Sequence, residues 1–173
     1  HETFFEDNLK DIHIFITGVG NVGGDLMEQI NVQKKFIAQN LKLNLKVLGI
    51  SNSKKMVISD SEIDLNNWGK LLDESNLKAD FNNFQNKILE LNLRNSLFVD
   101  NTASEVIPST YSKYLKNGVG IITCNKIANS VEYSNYELLK SLSRNNNSPF
   151  FYETNVGAAL PVISTLNNLI NSG

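Results

Sequence analysis

The sequence predicts an α/β fold, a doubly wound parallel sheet with helices on both faces. Two observations carry that prediction. Short apolar runs alternate with stretches of helical periodicity along the whole chain, the pattern of strands joined by crossover helices. The first apolar run, Ile12 to Ile16, ends in Gly18-x-Gly20-x-x-Gly23, and a helical pattern begins at once. In a strand, tight turn and helix, three glycines so spaced have separate jobs. Gly18 takes the turn, Gly20 lets a pyrophosphate approach the backbone, and Gly23 lets helix and strand pack closely. The helix N-terminus beyond offers unpaired N–H groups and partial positive charge to phosphates. The expected architecture is Rossmann-type, with strand order 3-2-1-4-5, in one domain over residues 1–173.

The elements follow in order. Val22, Leu26, Ile30, Ile37 and Leu41 predict a first helix to about Asn40, and Leu45 to Ser51 a second strand. Asn52 to Ala79 is too long for bare loop, and Leu65, Trp68, Leu71 and Leu72 predict a short helix within it. Phe81, Phe84, Ile88 and Leu91 mark an amphipathic helix, and Ser96 to Asp100 the third strand. Ser104 or Ser109 is the candidate cap of the next helix, which has Tyr111, Tyr114 and Leu115 inside and Asn117-Gly118 as its stop. Pro108 fits only its first turn. Val119 to Cys124 is the fourth strand and Phe150 to Tyr152 the fifth. Between them Tyr136, Leu139 and Leu142 define a helix ended by the polar run Asn145 to Pro149. A last helix opens near Pro161 and carries Val162, Leu166, Leu169 and Ile170.

Composition narrows the function classes. A formal net charge of −2 provides no basic field for nucleic acid or an anionic membrane. No apolar run approaches the ~20 residues that cross a bilayer. The single Cys124 lies in an apolar run and is expected as a reduced, buried thiol. With no signal-peptide pattern, the expected compartment is the cytoplasm. The start at His1 and the end at Asn171-Ser172-Gly173 are those expected of a piece of a longer chain. Zinc-ligand spacing and a G-x-x-x-x-G-K-[ST] loop are both missing, and both histidines fall within the first thirteen residues, which argues against a Ser-His-Asp site.

In an open α/β sheet, ligands bind outside the carboxyl ends of the strands. The five segments leaving those ends are Gly18 to Gly24, Ser51 to Lys55, Asn101 to Ser104, Asn125-Lys126, and Glu153 to Gly157. All are polar or glycine-rich, and the fold brings them to one rim. An NAD site usually ends strand 2 with an acid for the ribose 2′-OH. Here Asn52, Ser53, Lys54 and Lys55 stand instead, groups that suit a 2′-phosphate or form a solvated basic turn. The expected preference is NADPH over NADH. Gly18, Val19, Gly20, Asn21, Val22 and Gly23 form the expected phosphate turn, with Ser53, Lys54 and Lys55 at the 2′ position. Asn101, Thr102 and Ser104 are candidates for the nicotinamide ribose and phosphates, Ser104 doubling as a helix cap. Lys126 follows strand 4, where a cation reaches the nicotinamide or a substrate oxygen. Glu153 reads as an acid at a helix start or as a cation ligand helped by carbonyls of Val156 to Leu160. His13, at a strand start with no visible partner, reads as structural.

Gly18-Val-Gly-Asn-Val-Gly-Gly24, Ser51-Asn-Ser-Lys-Lys55, Asp100-Asn-Thr-Ala-Ser104, Thr123-Cys-Asn-Lys126 and Glu153-Thr-Asn-Val-Gly-Ala-Ala-Leu-Pro-Val-Ile163 occur in this order. Together they resemble the nucleotide-binding part of homoserine dehydrogenase. Leu65-Asn-Asn-Trp68 and the lead-in before strand 1 look most like the form fused to aspartokinase. The resemblance implies NAD(P)-dependent interconversion of aspartate 4-semialdehyde and homoserine, on the route to threonine and methionine. By motif, Gly20, Asn21, Val22, Thr102 and Lys126 would contact the cofactor, Lys54 would sit near its 2′-phosphate, and Lys126 would stand between nicotinamide and substrate. Glu153, with carbonyls of Val156, Ala158 and Leu160, would match a monovalent-cation site, sodium by expectation.

The family usually reads Val-Gly-Ala-Gly-Leu-Pro where this chain has Ala159, a change costing about 1 kcal/mol if that position needs φ > 0. The substrate and dimerisation domain would follow Gly173, so the piece alone is expected to be inactive and the full protein a homo-oligomer fused to aspartokinase. Two other readings compete: a non-catalytic dinucleotide-binding or sensor module, and a dehydrogenase acting on another semialdehyde.

Overall fold

Ile12 to Thr17 is buried almost without interruption, as in a strand covered on both faces. A computed structural model of the chain describes residues 9–125 and 133–152, and for residues 21–23 and 133–134 the helical backbone alone. The elements are β1 (Lys10–Thr17), α1 (Asn21–Leu41), β2 (Leu43–Ser51), β3 (Met56–Ile58), α2 (Trp68–Asp73), α3 (Phe81–Leu91) and β4 (Ser96–Asp100). A 3-10 turn (Ile107–Thr110), α4 (Tyr111–Lys116), β5 (Gly120–Thr123), α5 (Tyr133–Asn146) and β6 (Phe150–Tyr152) follow.

These strands form one sheet in the order β3-β2-β1-β4-β5-β6. Every neighbouring pair is parallel except β2–β3. The α/β class and the order 3-2-1-4-5 therefore hold, with a sixth strand added and a different occupant in third place. That place belongs to the short antiparallel strand Met56–Ile58, whereas Ser96–Asp100 pairs directly with β1. The cause is local. Asn52 Oδ1 accepts the backbone N–H groups of Lys54 and Lys55 at 2.8 and 2.7 Å, which turns the chain back along β2. Three residues are too few to show periodicity, so this strand is invisible to pattern.

The helices divide between the faces as expected of a doubly wound sheet. On one face Ile14, Ile16, Val47 and Val99 pack with Leu26, Met27, Ile30 and Ile37 of α1 and with Leu72 of α2. On the other, Phe15, Leu48, Phe98 and Ile121 pack with Phe84 and Ile88 of α3, Tyr111 and Tyr114 of α4, and Leu139 of α5. Asp80 caps α3 by accepting the N–H groups of Asn82 and Asn83, both at 3.0 Å. Ser104, not Ser109, opens the next helical segment: its Oγ accepts the N–H groups of Val106 and Ile107, each at 3.1 Å. Pro108 sits in the first turn of that segment, and Gly118 ends α4 at φ +79°.

His13 does have a partner, since its Nδ1 lies 2.7 Å from the carbonyl oxygen of Arg94, which ties β1 to the lead-in of β4. That contact agrees with a structural role. The last helix, expected near Pro161, lies outside the described residues.

Two variants separate packing from capping in α3. Ile88, 1% exposed, is expected to cost about 2–5 kcal/mol as Ile88→Ala. Asp80→Ala is expected to cost about 1 kcal/mol. Urea unfolding of both variants beside the wild type measures the difference.

Candidate functional site

The five strands that run parallel present their carboxyl ends at one edge, and backbone hydrogen bonds tie the segments leaving them. Gly18 N–H and Val19 N–H both donate to the carbonyl of Ser51, at 2.8 and 3.1 Å. Asn101 N–H donates to Thr17 at 3.0 Å, and Cys124 N–H to Asp100 at 2.8 Å. The expected convergence is met for the segments at Gly18, Ser51, Asn101 and Asn125. Lys126 and Glu153 to Gly157 lie outside the described residues.

Gly18 has φ +87°, and a Cβ there would lie 2.8 Å from the carbonyl carbon of Asn101 and 2.9 Å from its oxygen. The first glycine thus serves the turn and also admits the neighbouring loop. Gly20 is different: among the described residues, a Cβ on it would meet nothing within 4 Å. It is also the N-cap of α1, where no side chain caps the helix among the described residues and the first turn holds no acid. Among the described residues, the first-turn N–H groups of this long helix have no capping side chain, and such groups suit a phosphate. Asn21, Val22 and Gly23 form that turn, with side-chain surroundings outside what is described. Close packing is seen one residue later, where a Cβ on Gly24 would stand 3.3 Å from the Trp68 ring.

A cavity of about 560 Å³ opens beside these loops. Its rim is Gly18, Gly20, Asn52, Ser53, Asn101, Thr102 and Ser104, and Phe84, Phe98 and Tyr114 lie beneath. Val19, 5% exposed, is core rather than rim. Neither lysine of the second segment lines the cavity. Lys55 donates its ammonium to the carbonyl of Asp73 in α2, a structural use. Lys54 is exposed, and its ammonium has no partner among the described residues.

In the third segment, Asn101 Nδ2 is buried and unpartnered among the described residues. Asp100, wholly buried, accepts from Thr102 N and Oγ1 at 2.9 and 2.7 Å, and from Tyr111 and Asn125. Burial, and then the charge of Asp100, raise the Tyr111 and Tyr114 hydroxyls well above the usual phenol range, so both stay protonated.

Sequence reasoning missed Ala79, Asp80 and Phe81, which complete the cavity wall. The available signal was topological: α3 descends from the same sheet edge, so its first residues belong to the rim. Tyr111 was expected only as a core residue, and its hydroxyl carried no signal. Glu153, Val156, Ala158 and Leu160, the candidate cation ligands, and Ala159 lie outside the described residues. Among the described residues no cluster of His, Cys, Asp and Glu fit for a metal occurs, and no helix is long and apolar enough to cross a membrane.

Comparison with known proteins extends this geometry. Residues 18–153 match the family model for the homoserine dehydrogenase NAD-binding domain. The chain is similar to a bifunctional aspartokinase/homoserine dehydrogenase of Arabidopsis thaliana, 41% identical over all of this chain and 19% of that protein. It is also similar to the Buchnera aphidicola bifunctional enzyme, 38% identical over all of this chain and 21% of the relative. The chain thus spans about a fifth of the length of these curated relatives. A hyperthermophilic archaeal homoserine dehydrogenase solved in complex with NADPH shares the fold, with TM-score 0.68 and 22% identity over 91% of this chain and 48% of that one. Matched from its first glycine to Glu153, the chain belongs to the homoserine dehydrogenase family and comprises its NAD-binding domain.

Proposed function

We propose that this chain is the cofactor-binding part of an enzyme that interconverts aspartate 4-semialdehyde and homoserine, with NADPH as its preferred hydride carrier. One observation carries the reading: the cavity at the carboxyl edge is bounded by a glycine, a helix N-terminus and the buried amide of Asn101, which are respectively unobstructed, uncapped and unpartnered among the described residues. A buried donor without an acceptor is what a phosphate or ribose oxygen completes. When bound, a nicotinamide dinucleotide supplies or accepts the hydride.

The chain's own groups bind and orient. Backbone N–H groups from Gly20 into α1 would hold the pyrophosphate, Asn101 and Ser104 would donate to ribose and phosphate oxygens, and Thr102, its own donors given to Asp100, would meet a ribose hydroxyl as acceptor. Lys54, unengaged among the described residues, takes the 2′-phosphate, while Lys55 is withdrawn from it by the carbonyl of Asp73. Lys126 is the ammonium that stabilises negative charge on the reacting oxygen. Glu153, with carbonyls of Val156, Ala158 and Leu160, offers the oxygen donors that a sodium ion takes. The residues that recognise the substrate and supply the proton belong to a further domain, and a fused aspartokinase and a homo-oligomeric state complete the proposal.

The reading is tested on the full-length protein by homoserine-dependent formation of NADPH. Activity is expected; NADPH binding without turnover would instead favour a non-catalytic sensor. Turnover of a different semialdehyde alone would reassign the substrate. Lys126→Ala is expected to lower kcat by roughly 100-fold or more while the Kd for NADPH changes by less than about threefold.

Fluorescence titration separates the two lysines of the second segment. Lys54→Ala is expected to weaken NADPH about tenfold and to spare NADH, whereas Lys55→Ala leaves the NADPH/NADH ratio within about twofold. Equal effects on both coenzymes would remove Lys54 from the 2′-phosphate.

A further inference from the structure

Asp100 is 0% exposed and takes part in no ion pair among the described residues. A buried carboxylate without a cation is costly unless its lone pairs are met. Here they are met by donors from three separate segments. Oδ1 accepts Thr102 N–H and Oγ1–H, from the loop after β4. Oδ2 accepts the Tyr111 hydroxyl of α4 and, at 3.2 Å, the amide of Asn125 after β5. The same Asn125 amide donates to the carbonyl of Ser104 at 2.9 Å. Thr123 Oγ1 lies 2.8 Å from the Tyr111 hydroxyl and accepts Asn125 N–H at 3.0 Å.

We infer that Asp100 is a positioning residue for the cofactor cleft: through Tyr111 and Asn125 its carboxylate fixes the Thr102–Ser104 wall against the exit of β5. The inference rests on the cofactor reading above. Its chemistry requires a group that only accepts. An isosteric Asn presents an NH₂ on one side, where two donors already point. Placed on the Oδ1 side, that NH₂ opposes the backbone N–H of Thr102, which cannot turn away. On the Oδ2 side, the Tyr111 hydroxyl can rotate toward Thr123, but the Asn125 amide loses its carboxylate acceptor and keeps only the Ser104 side of the link. Asp100→Asn therefore breaks either the Thr102 contact or the Asn125 contact, and with it one of the ties that hold the Thr102–Ser104 wall to the exit of β5.

The test measures the NADPH Kd and the separate KM values of the full-length protein, at a temperature where each variant is folded. Asp100→Asn is expected to raise the Kd for NADPH and the KM for NADP about tenfold, leaving the KM for homoserine within about twofold. Loss of folded protein would lower the apparent kcat alone, so this split marks positioning. Tyr111→Phe keeps the ring packing and is expected to raise the same two constants about threefold, which carries the test if Asp100→Asn does not fold. Asn125→Ala combined with Asp100→Asn is expected to be no weaker than the worse single variant, since both break one link. Wild-type protein that binds no NADPH would overturn the cofactor reading and this inference together. Wild-type binding with unchanged constants in Tyr111→Phe and in folded Asp100→Asn would overturn this inference alone, as would additive effects in the double variant.

Discussion

The site depends on the way the central strands end. Thr17, Ser51, Asp100 and Thr123 close β1, β2, β4 and β5, and each is buried although polar. Buried backbone groups must be paired, and here each strand's exit is paired to its neighbour rather than to water. Ser51 receives both Gly18 N–H and Val19 N–H, Thr17 receives Asn101 N–H, and Asp100 receives Cys124 N–H. No one of these loops can shift without breaking a hydrogen bond in the next. The strand register thereby sets the relative height of the segments around the cavity. Gly18 is where this leaves least room, because its place for a Cβ is taken by the Asn101 peptide.

Beneath that polar rim the floor is aromatic. Phe98 stacks on Tyr114 with ring centroids 4.3 Å apart, and Phe84 and Tyr111 meet Phe98 edge-on at 6.4 and 6.5 Å. Rings packed in this way have few alternative rotamers, so they give the loops a stiff base. Tyr111 joins the two layers: its ring packs against Phe98 of the floor, and its hydroxyl reaches the carboxylate that anchors the rim. A ligand pocket needs this division, apolar surface for area and a few directed polar groups for orientation.

What could be read from the sequence is what periodicity and backbone chemistry control. The alternation of apolar runs gave strands at Ser96–Asp100 and Phe150–Tyr152 within a residue or two, and the three glycines located the turn. Side-chain partnership is not periodic. Nothing in Ser-Asn-Ser-Lys-Lys distinguishes two adjacent lysines, yet the turn built on Asn52 sends Lys55 to Asp73 and leaves Lys54 outside. Tyr111 had the spacing of a core residue and is one, but its hydroxyl meets Asp100 only because β4 and α4 lie side by side. Such contacts belong to the tertiary structure and arise across eleven residues or more of chain.

The connection from β2 to α3 shows why an insertion at the sheet edge matters to a site beside β1. β3 closes the edge as a short antiparallel strand, a form that discourages further pairing. Its entry turn leads Lys55 to the last residue of α2, and Lys54 accepts Ala79 N–H at 2.9 Å, close to the start of α3. α2 in turn begins at Trp68, whose ring lies against Gly24 in α1. The end of α1, uncapped among the described residues, is thus braced by an aromatic ring held from the second rim segment. A helix terminus that keeps its N–H groups free cannot be fixed by a cap, because a cap would occupy the very donors a phosphate needs. Bracing from the side, through a glycine small enough to admit the ring, holds the terminus still and leaves those donors open.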